Sequence, residues 1–219
     1  MSDKVKAHTR YQLKDGTIVP GVTTVTGSQL GWNKQVLINW ANRMGLQGID
    51  SNKYKDDKAV IGTLGHSLAT DSLLGIQTDT SDYSANQIEA AENSVLSFYE
   101  WAKGKEIRPI LVEIPLVSEE YKFGGTPDIY GEINGTLELV DLKTGSGIYH
   151  EMIVQVSAYE KLLEEAGYRV DAVRILNIPR TEDEAFMERG LGKQQREVAW
   201  EIFTNCLRNY QLKKKLNGR

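Results

Sequence analysis

Residues 124–145 read GGTPDIYGEINGTLELVDLKTG, and the fold turns on how this stretch pairs with itself. Asn134-Gly135 sits between two runs rich in strand formers. It is the strongest short-range hairpin signal, because both central residues of a type I′ turn need positive φ. A two-residue loop sets Ile133 opposite Thr136. Extended along the ladder, the same register sets Asp128 opposite Asp141 on one face, with β-carbons roughly 5 Å apart. Lys143, two residues further on, shares that face. Like charges placed this way destabilise a sheet. A raised carboxylate pKa relieves the repulsion, and so does a cation held between the acids. Two carboxylates, a backbone carbonyl and water are the hard oxygen ligands that suit Mg2+ or Mn2+. Lys143 beside such an ion is placed to orient or deprotonate a water, or to neutralise developing negative charge. The plainer alternative is Asp128 capping a turn after Pro127, with Asp141 and Lys143 forming an ion pair on an edge strand. Gly124, Gly125 and Pro127 also invite a bulge that would break the register. Against that alternative, Glu138 to Lys143 (ELVDLK) is apolar enough for a central strand, where a charge needs a partner.

The flanking segments supply the architecture. Residues 9–28 are rich in Gly, Thr and Val and predict a short hairpin or extended entry, with Asp15-Gly16 as its turn. Residues 31–44 carry apolar residues at helical spacing, and 46–56 are polar and predict a loop. A helix is expected from Asp57 to Leu74, stopped by Gly75. Another follows over 84–103, with Ile88, Ala91, Val95, Phe98 and Trp101 on its apolar face. The period then shortens. Residues 110–117, 122–133 and 136–143 predict strands, 150–166 a helix ended by Gly167, 170–176 a strand, and 193–215 a final helix closing on Lys213, Lys214 and Lys215. The order predicts an α/β (α+β) chain: a mixed sheet with an antiparallel three-strand meander flanked by helices, and an N-terminal helical addition. A length of 219 residues suits one domain. Its expected parts are a hairpin and helices over 1–106, the acid-bearing sheet and helix over 107–180, and a C-terminal helix over 181–219.

Composition narrows the function classes. With 40% hydrophobic and 26% charged residues the chain matches ordinary globular proteins. A net charge of −4 excludes a globally basic nucleic-acid binder, so any such contact needs a local patch. One cysteine, Cys206, excludes an internal disulfide, a cysteine-based zinc site and an iron–sulfur cluster. No apolar run is long enough to span a bilayer, and the opening MSDKVKAHTRYQLKDG lacks a signal core. The expectation is a cytoplasmic protein with no membrane association.

Gly125-Thr126-Pro127-Asp128 followed by Asp141-Leu142-Lys143 resembles the PD-(D/E)xK nuclease superfamily, with its restriction-endonuclease-like core. Other segments resemble its RecB-like exonuclease branch, which includes Cas4-like and many phage recombination nucleases. Gly62-Thr63-Leu64-Gly65-His66 resembles that branch's first motif, a helix with a metal-binding histidine. Glu113 matches a further acid, and Gln155-Val156-Ser157-Ala158-Tyr159 matches a Q-x-x-x-Y motif. Val19 to Val25 resembles an entry segment found in several phage and mitochondrial members. The resemblance spans roughly residues 19–180. The chain departs from the branch at Thr70, where a glutamate often stands one turn after the histidine; Asp71 is next to it.

The resemblance implies metal-dependent hydrolysis of a DNA phosphodiester, leaving a 5′-phosphate, with one or two Mg2+ or Mn2+ ions. Asp128, Asp141 and the Leu142 backbone carbonyl would hold metal, with His66 and Glu113 as further ligands. Lys143 would organise the attacking water. Gln155 and Tyr159, four apart on one helix face, would touch the substrate backbone or orient site residues. Taken alone, His66 reads equally as a structural histidine, and the Gln155–Tyr159 stripe as a polar face with a half-buried tyrosine. His150 has no firm role. Trp32 and Trp40, eight apart, are expected to share a helix face and pack in the core, with base stacking as the alternative. Lys34, Arg43 and the 213–215 lysines either touch phosphates or are merely solvated. The implied partners are DNA, as single strands or duplex ends, and a second copy or a recombination protein. The implied role is phage or bacterial recombination or repair. The other readings are a flap-type endonuclease, an inactive nucleic-acid-binding module of the same fold, and a non-nuclease metal hydrolase. For the last, the sequence lacks an H-x-x-x-H cluster.

Overall fold

The computed structural model describes residues 9–181 and 184–218. Its centre is the expected hairpin: β6 (Ile129–Ile133) and β7 (Thr136–Lys143) pair antiparallel, with Ile133 facing Thr136 and Ile129 facing Val140. Asn134 and Gly135 both have positive φ, 49° and 82°. β3 (Ile107–Val112) extends the sheet antiparallel beyond β6. On the other side β8 (Ala172–Asn177) runs parallel to β7, and β9 (Met187–Gly190) closes the edge antiparallel to β8. The strand order is β3-β6-β7-β8-β9. This is a mixed α/β fold with six helices among the described residues. Parallel neighbours need a crossover, and α5 (His150–Glu165) supplies it between β7 and β8.

Both faces of the sheet are covered. On one face Leu139, Tyr130 and Ile175 pack with Val154, Val156 and Leu162 of α5 and with Phe203 of α6 (Lys193–Leu216). On the other, Val140, Leu142 and Leu176 pack with Ala69 of α3 (Ser51–Leu74) and Phe98 of α4 (Ala85–Ala102). Each such apolar side chain contributes about 1.5–3 kcal/mol when fully buried. α4 begins at Ser84, which forms a capping box with Gln87, and α3 ends at Gly75 in the left-handed region (φ 66°), both as expected.

Several local expectations give way. The extended entry is only β1 (Tyr11–Gln12) and β2 (Ile18–Val19); residues Val22–Gln29 form helix α1. Val22 and Val25, one turn apart, are buried in the α5–α6 core, and that burial overrides the strand preference of β-branched residues. The predicted 46–56 loop is half helix, because the Asp50 side chain accepts from the Asn52 and Lys53 amides and starts α3 there. α2 (Lys34–Leu46) begins after Trp32, so Trp32 and Trp40 do not share it. β9, short and exposed at the edge, has no alternation to announce it.

Two predicted strands are broken in register with each other. Residues 110–117 divide at Glu113 (φ 49°) into β3 and β4 (Leu116–Ser118). Residues 122–133 divide at Thr126-Pro127-Asp128 into β5 (Phe123–Gly125) and β6, and β5 pairs with β4. Proline has no N–H for the ladder. The two kinks are tied together, since the Glu113 amide donates to the Asp128 carbonyl at 2.9 Å. Among the described residues no helix is long and apolar enough to cross a membrane.

Candidate metal centre and cleft

The kinks bring two acids to one place, and α3 adds an imidazole. One ligand atom each from His66, Glu113 and Asp128 lies within 4.8 Å of the others. His66 Nδ1 is 3.7 Å from Asp128 Oδ2. Asp128 is held from two sides: its Oδ2 accepts the Leu142 amide at 2.7 Å, and its carbonyl accepts Glu113 N–H. The positive φ of Glu113 is strained for a residue with a Cβ, and such strain concentrates at functional sites. Glu113 therefore lies outside the regular strand that the sequence predicts over 110–117. It sits at the kink that ends β3.

The approach of α3 depends on small residues. A Cβ at Gly62 would fall inside 3.0 Å of Thr144 Oγ1, and one at Gly65 would stand 3.1 Å from the Ser94 Cβ. Gly62 lets α3 lie close against Thr144 at the end of β7, Gly65 lets it lie against Ser94 of α4, and α3 so seated carries His66 beside Asp128. Asp71 turns elsewhere, accepting the Thr78 hydroxyl at 2.8 Å.

Asp141 and Lys143 form the second half. Asp141 is fully buried, and Lys143 Nζ is 2.6 Å from its Oδ2. Its Oδ1 is buried and receives no hydrogen bond. Burial pushes the Asp141 carboxyl up to about 6 despite Lys143, and Asp128 adds to the rise. Burial works to lower the Lys143 pKa, but Asp141 and Asp128 outweigh it and hold it above the ordinary value. Lys143 in this geometry is an ammonium, fitted to neutralising charge and orienting water more than to removing a proton. The hairpin register is the expected one, but β6 starts at Ile129, so the ladder stops short of the Asp128–Asp141 pair. Asp128 clusters with His66 and Glu113, while Asp141 is neutralised by Lys143.

Gln155 donates to the Tyr159 hydroxyl at 2.8 Å. Tyr159 is buried, its ring filling the space where a Cβ on Gly125 would come within 2.6 Å. Burial first, then Asp141 and Asp128, push its hydroxyl well above the usual range, so it stays protonated. Of the two expected roles, orienting site residues is the one open to Tyr159, whereas Gln155 lines the cleft. Trp32 is exposed at 51% and meets His150 edge-on at 6.4 Å, which corrects the expectation of core packing. Lys34 and the 213–215 lysines are exposed, and the latter end α6.

Leu142, Lys143, His66 and Glu113 open onto a cleft of about 970 Å3 walled by α2 and α3. Sequence reasoning missed Arg180 and Tyr11. Arg180 lines this cleft, held by Glu184 and the Lys58 carbonyl; it lies in an irregular stretch with no period to single it out. The Tyr11 hydroxyl meets Thr126 Oγ1 at 3.0 Å, a contact between segments far apart in sequence.

No family model and no curated protein matches the chain. Among solved structures it is similar to a candidate exonuclease from Eubacterium rectale, at 12% identity and a TM-score of 0.47, covering 72% of this chain and 68% of the other. It is also similar to LHK-Exo, an alkaline exonuclease from Laribacter hongkongensis, at 14% identity and a TM-score of 0.33, covering 70% of this chain and 92% of the other. The same enzyme in complex with dAMP aligns at 13% identity and a TM-score of 0.33, covering 71% and 84%.

Proposed function

We propose that this protein is a metal-dependent DNA exonuclease hydrolysing phosphodiester bonds, with residues 1–219 acting as one nuclease domain in phage or bacterial recombination or repair in the cytoplasm. The observation that supports this reading is the convergence of His66, Glu113 and Asp128 within 4.8 Å, beside the buried Asp141–Lys143 pair. Two carboxylates and an imidazole suit a divalent ion, and the nitrogen tilts the set from Mg2+ toward Mn2+. The Asp141 Oδ1, buried without a donor, lacks a partner that a cation would provide. Asp128, Glu113, His66, Asp141 and the Leu142 carbonyl would share the ligation of one or two ions. A bound ion would polarise a phosphoryl oxygen and acidify a water.

The chain's own residues do the rest. The Leu142 amide and the Glu113 amide fix the position of Asp128. Lys143 stands within the cleft as a cation that neutralises charge developing on the phosphoryl oxygens. Tyr159 holds the Gln155 amide at the cleft wall, where it can meet the substrate backbone.

The test is digestion of linear and covalently closed circular DNA with Mg2+, with Mn2+ and with EDTA, alongside Lys143→Ala. Metal-dependent loss of the linear DNA alone, absent in the variant, is the expected result. Cutting of the circle would replace the exonuclease with an endonuclease, and binding without cutting would leave only a nucleic-acid-binding module.

A further inference from the structure

α2 lies at the surface, and none of its residues is fully buried. Val36 and Leu37 are exposed at 65% and 59%, yet both line the cleft, as does Trp40. Trp40 meets Tyr54 of α3 at 6.1 Å between ring centroids, tilted by 56°. Lys58 Nζ lies 5.7 Å from the Tyr54 ring centroid. Among the described residues, the cleft is lined by Arg43, Lys55, Lys58, Lys143 and Arg180 and by one acid, Glu113, with Lys143 paired to Asp141 and Arg180 to Glu184. A chain with a net charge of −4 thus places Arg43, Lys55 and Lys58 along the same cleft as His66 and Glu113. The part of the cleft formed by α2 and the first turns of α3 combines aromatic and apolar surface with positive charge.

We propose, resting on the nuclease reading above, that this wall binds a single strand of nucleic acid. Trp40 and Tyr54 stack on its bases, and Arg43, Lys55 and Lys58 hold its phosphates. The wall is the element that selects single strands over duplex. The physical reason is the location of free base faces. In a duplex the bases already stack on each other, so an aromatic wall meets only backbone. Every unpaired base offers a π-face, and the preference is tolerant of sequence. A second copy of this chain is a poor occupant for the same surface, because Arg43, Lys55 and Lys58 would face their own like charges.

The experiment is fluorescence anisotropy in EDTA with labelled oligothymidylate, oligouridylate and a blunt duplex of equal length. The wild type should bind both single strands more tightly than the duplex. Trp40→Ala and Tyr54→Leu should each weaken oligothymidylate binding by about tenfold, Trp40→Phe should retain it, and urea midpoints should show that the variants are folded. Lys58→Ala should reduce the salt slope by about 0.7. Equal affinity for duplex, or single-strand affinity unchanged in both aromatic variants, overturns the proposal. So does a wild-type dimer that Trp40→Ala dissociates. Hydrolysis with Mn2+ is scored separately. Binding with the expected pattern but no hydrolysis sinks the nuclease reading alone, whereas hydrolysis without dependence of binding on Trp40 and Tyr54 sinks the strand-selecting wall alone.

Discussion

Gly62→Ala tests whether the contact of α3 with the end of β7 builds the site. The added Cβ would lie inside 3.0 Å of Thr144 Oγ1 and 3.6 Å from the Thr144 Cβ. Thr144 is β-branched and stiff at χ1, so its oxygen cannot swing away freely. Two terms oppose each other. Alanine for glycine inside a helix favours folding by about 1 kcal/mol. Overpacking costs about 1–3 kcal/mol. The single variant should therefore be less stable by about 0–2 kcal/mol, which alone decides little. The cycle with Thr144→Ala is sharper. Removing Oγ1 leaves only the 3.6 Å contact, an ordinary van der Waals distance, so the double variant keeps the helical gain without the clash. The expected coupling is about 1–3 kcal/mol in favour of the double variant. Urea unfolding of the four proteins, compared at a common m value, measures it. Mn2+ titration of the same proteins follows the site, because moving α3 outward carries His66 from Asp128. Affinity should fall in Gly62→Ala and return in the double variant. A coupling below about 0.5 kcal/mol would show that α3 is not pressed against Thr144, and the account of how His66 reaches the cluster would fail.

Lys143→Ala should keep Mn2+ binding, read by calorimetry, and lose about 100-fold or more in hydrolysis; an unchanged rate removes Lys143 from the chemistry. Asp128→Ala and Asp141→Ala should each lose metal binding and cleavage together, and normal cutting by Asp141→Ala would show the site assignment to be wrong. Glu160, paired with Arg196 between α5 and α6, has its carboxyl pushed by burial up to about 7, above the ordinary 4.5. The folded state keeps that proton longer, so its stabilising contribution is complete below about pH 4.5 and is lost as pH rises through about 7. Relative to Glu160→Gln, the wild type should lose about 1–2 kcal/mol of stability between pH 4 and pH 8, the full shift being reduced by solvent screening. Parallel pH profiles for the two proteins would refute this.

The sequence alone was enough for the central hairpin, its register and the order of the longer helices and strands around it, though not for α1, β9 or the splitting of two strands. Asn134-Gly135 admits essentially one tight turn, and a period of two or of 3.6 is a property of neighbouring residues. It also singled out His66, Glu113, Asp128, Asp141, Lys143, Gln155 and Tyr159, because charged or polar groups in otherwise apolar or motif-like segments stand out locally. Which of them meet was decided only in three dimensions. Gly124, Gly125 and Pro127 invited a break in one strand, but nothing local announced the matching kink at Glu113 or the amide of that kink bonding the carbonyl of the other. Those kinks end the ladder at Ile129, gather Asp128 with Glu113, and leave Asp141 to Lys143. Tyr159 reads on one helix face with Gln155, yet packing against Gly125 buries it while Gln155 reaches the cleft. Arg180, Tyr11 and the exposed position of Trp32 left no local signal at all. Turn chemistry and periodicity act between residues a few positions apart and can be read along the chain, whereas the site is made by contacts between segments distant in sequence, and only packing settles those.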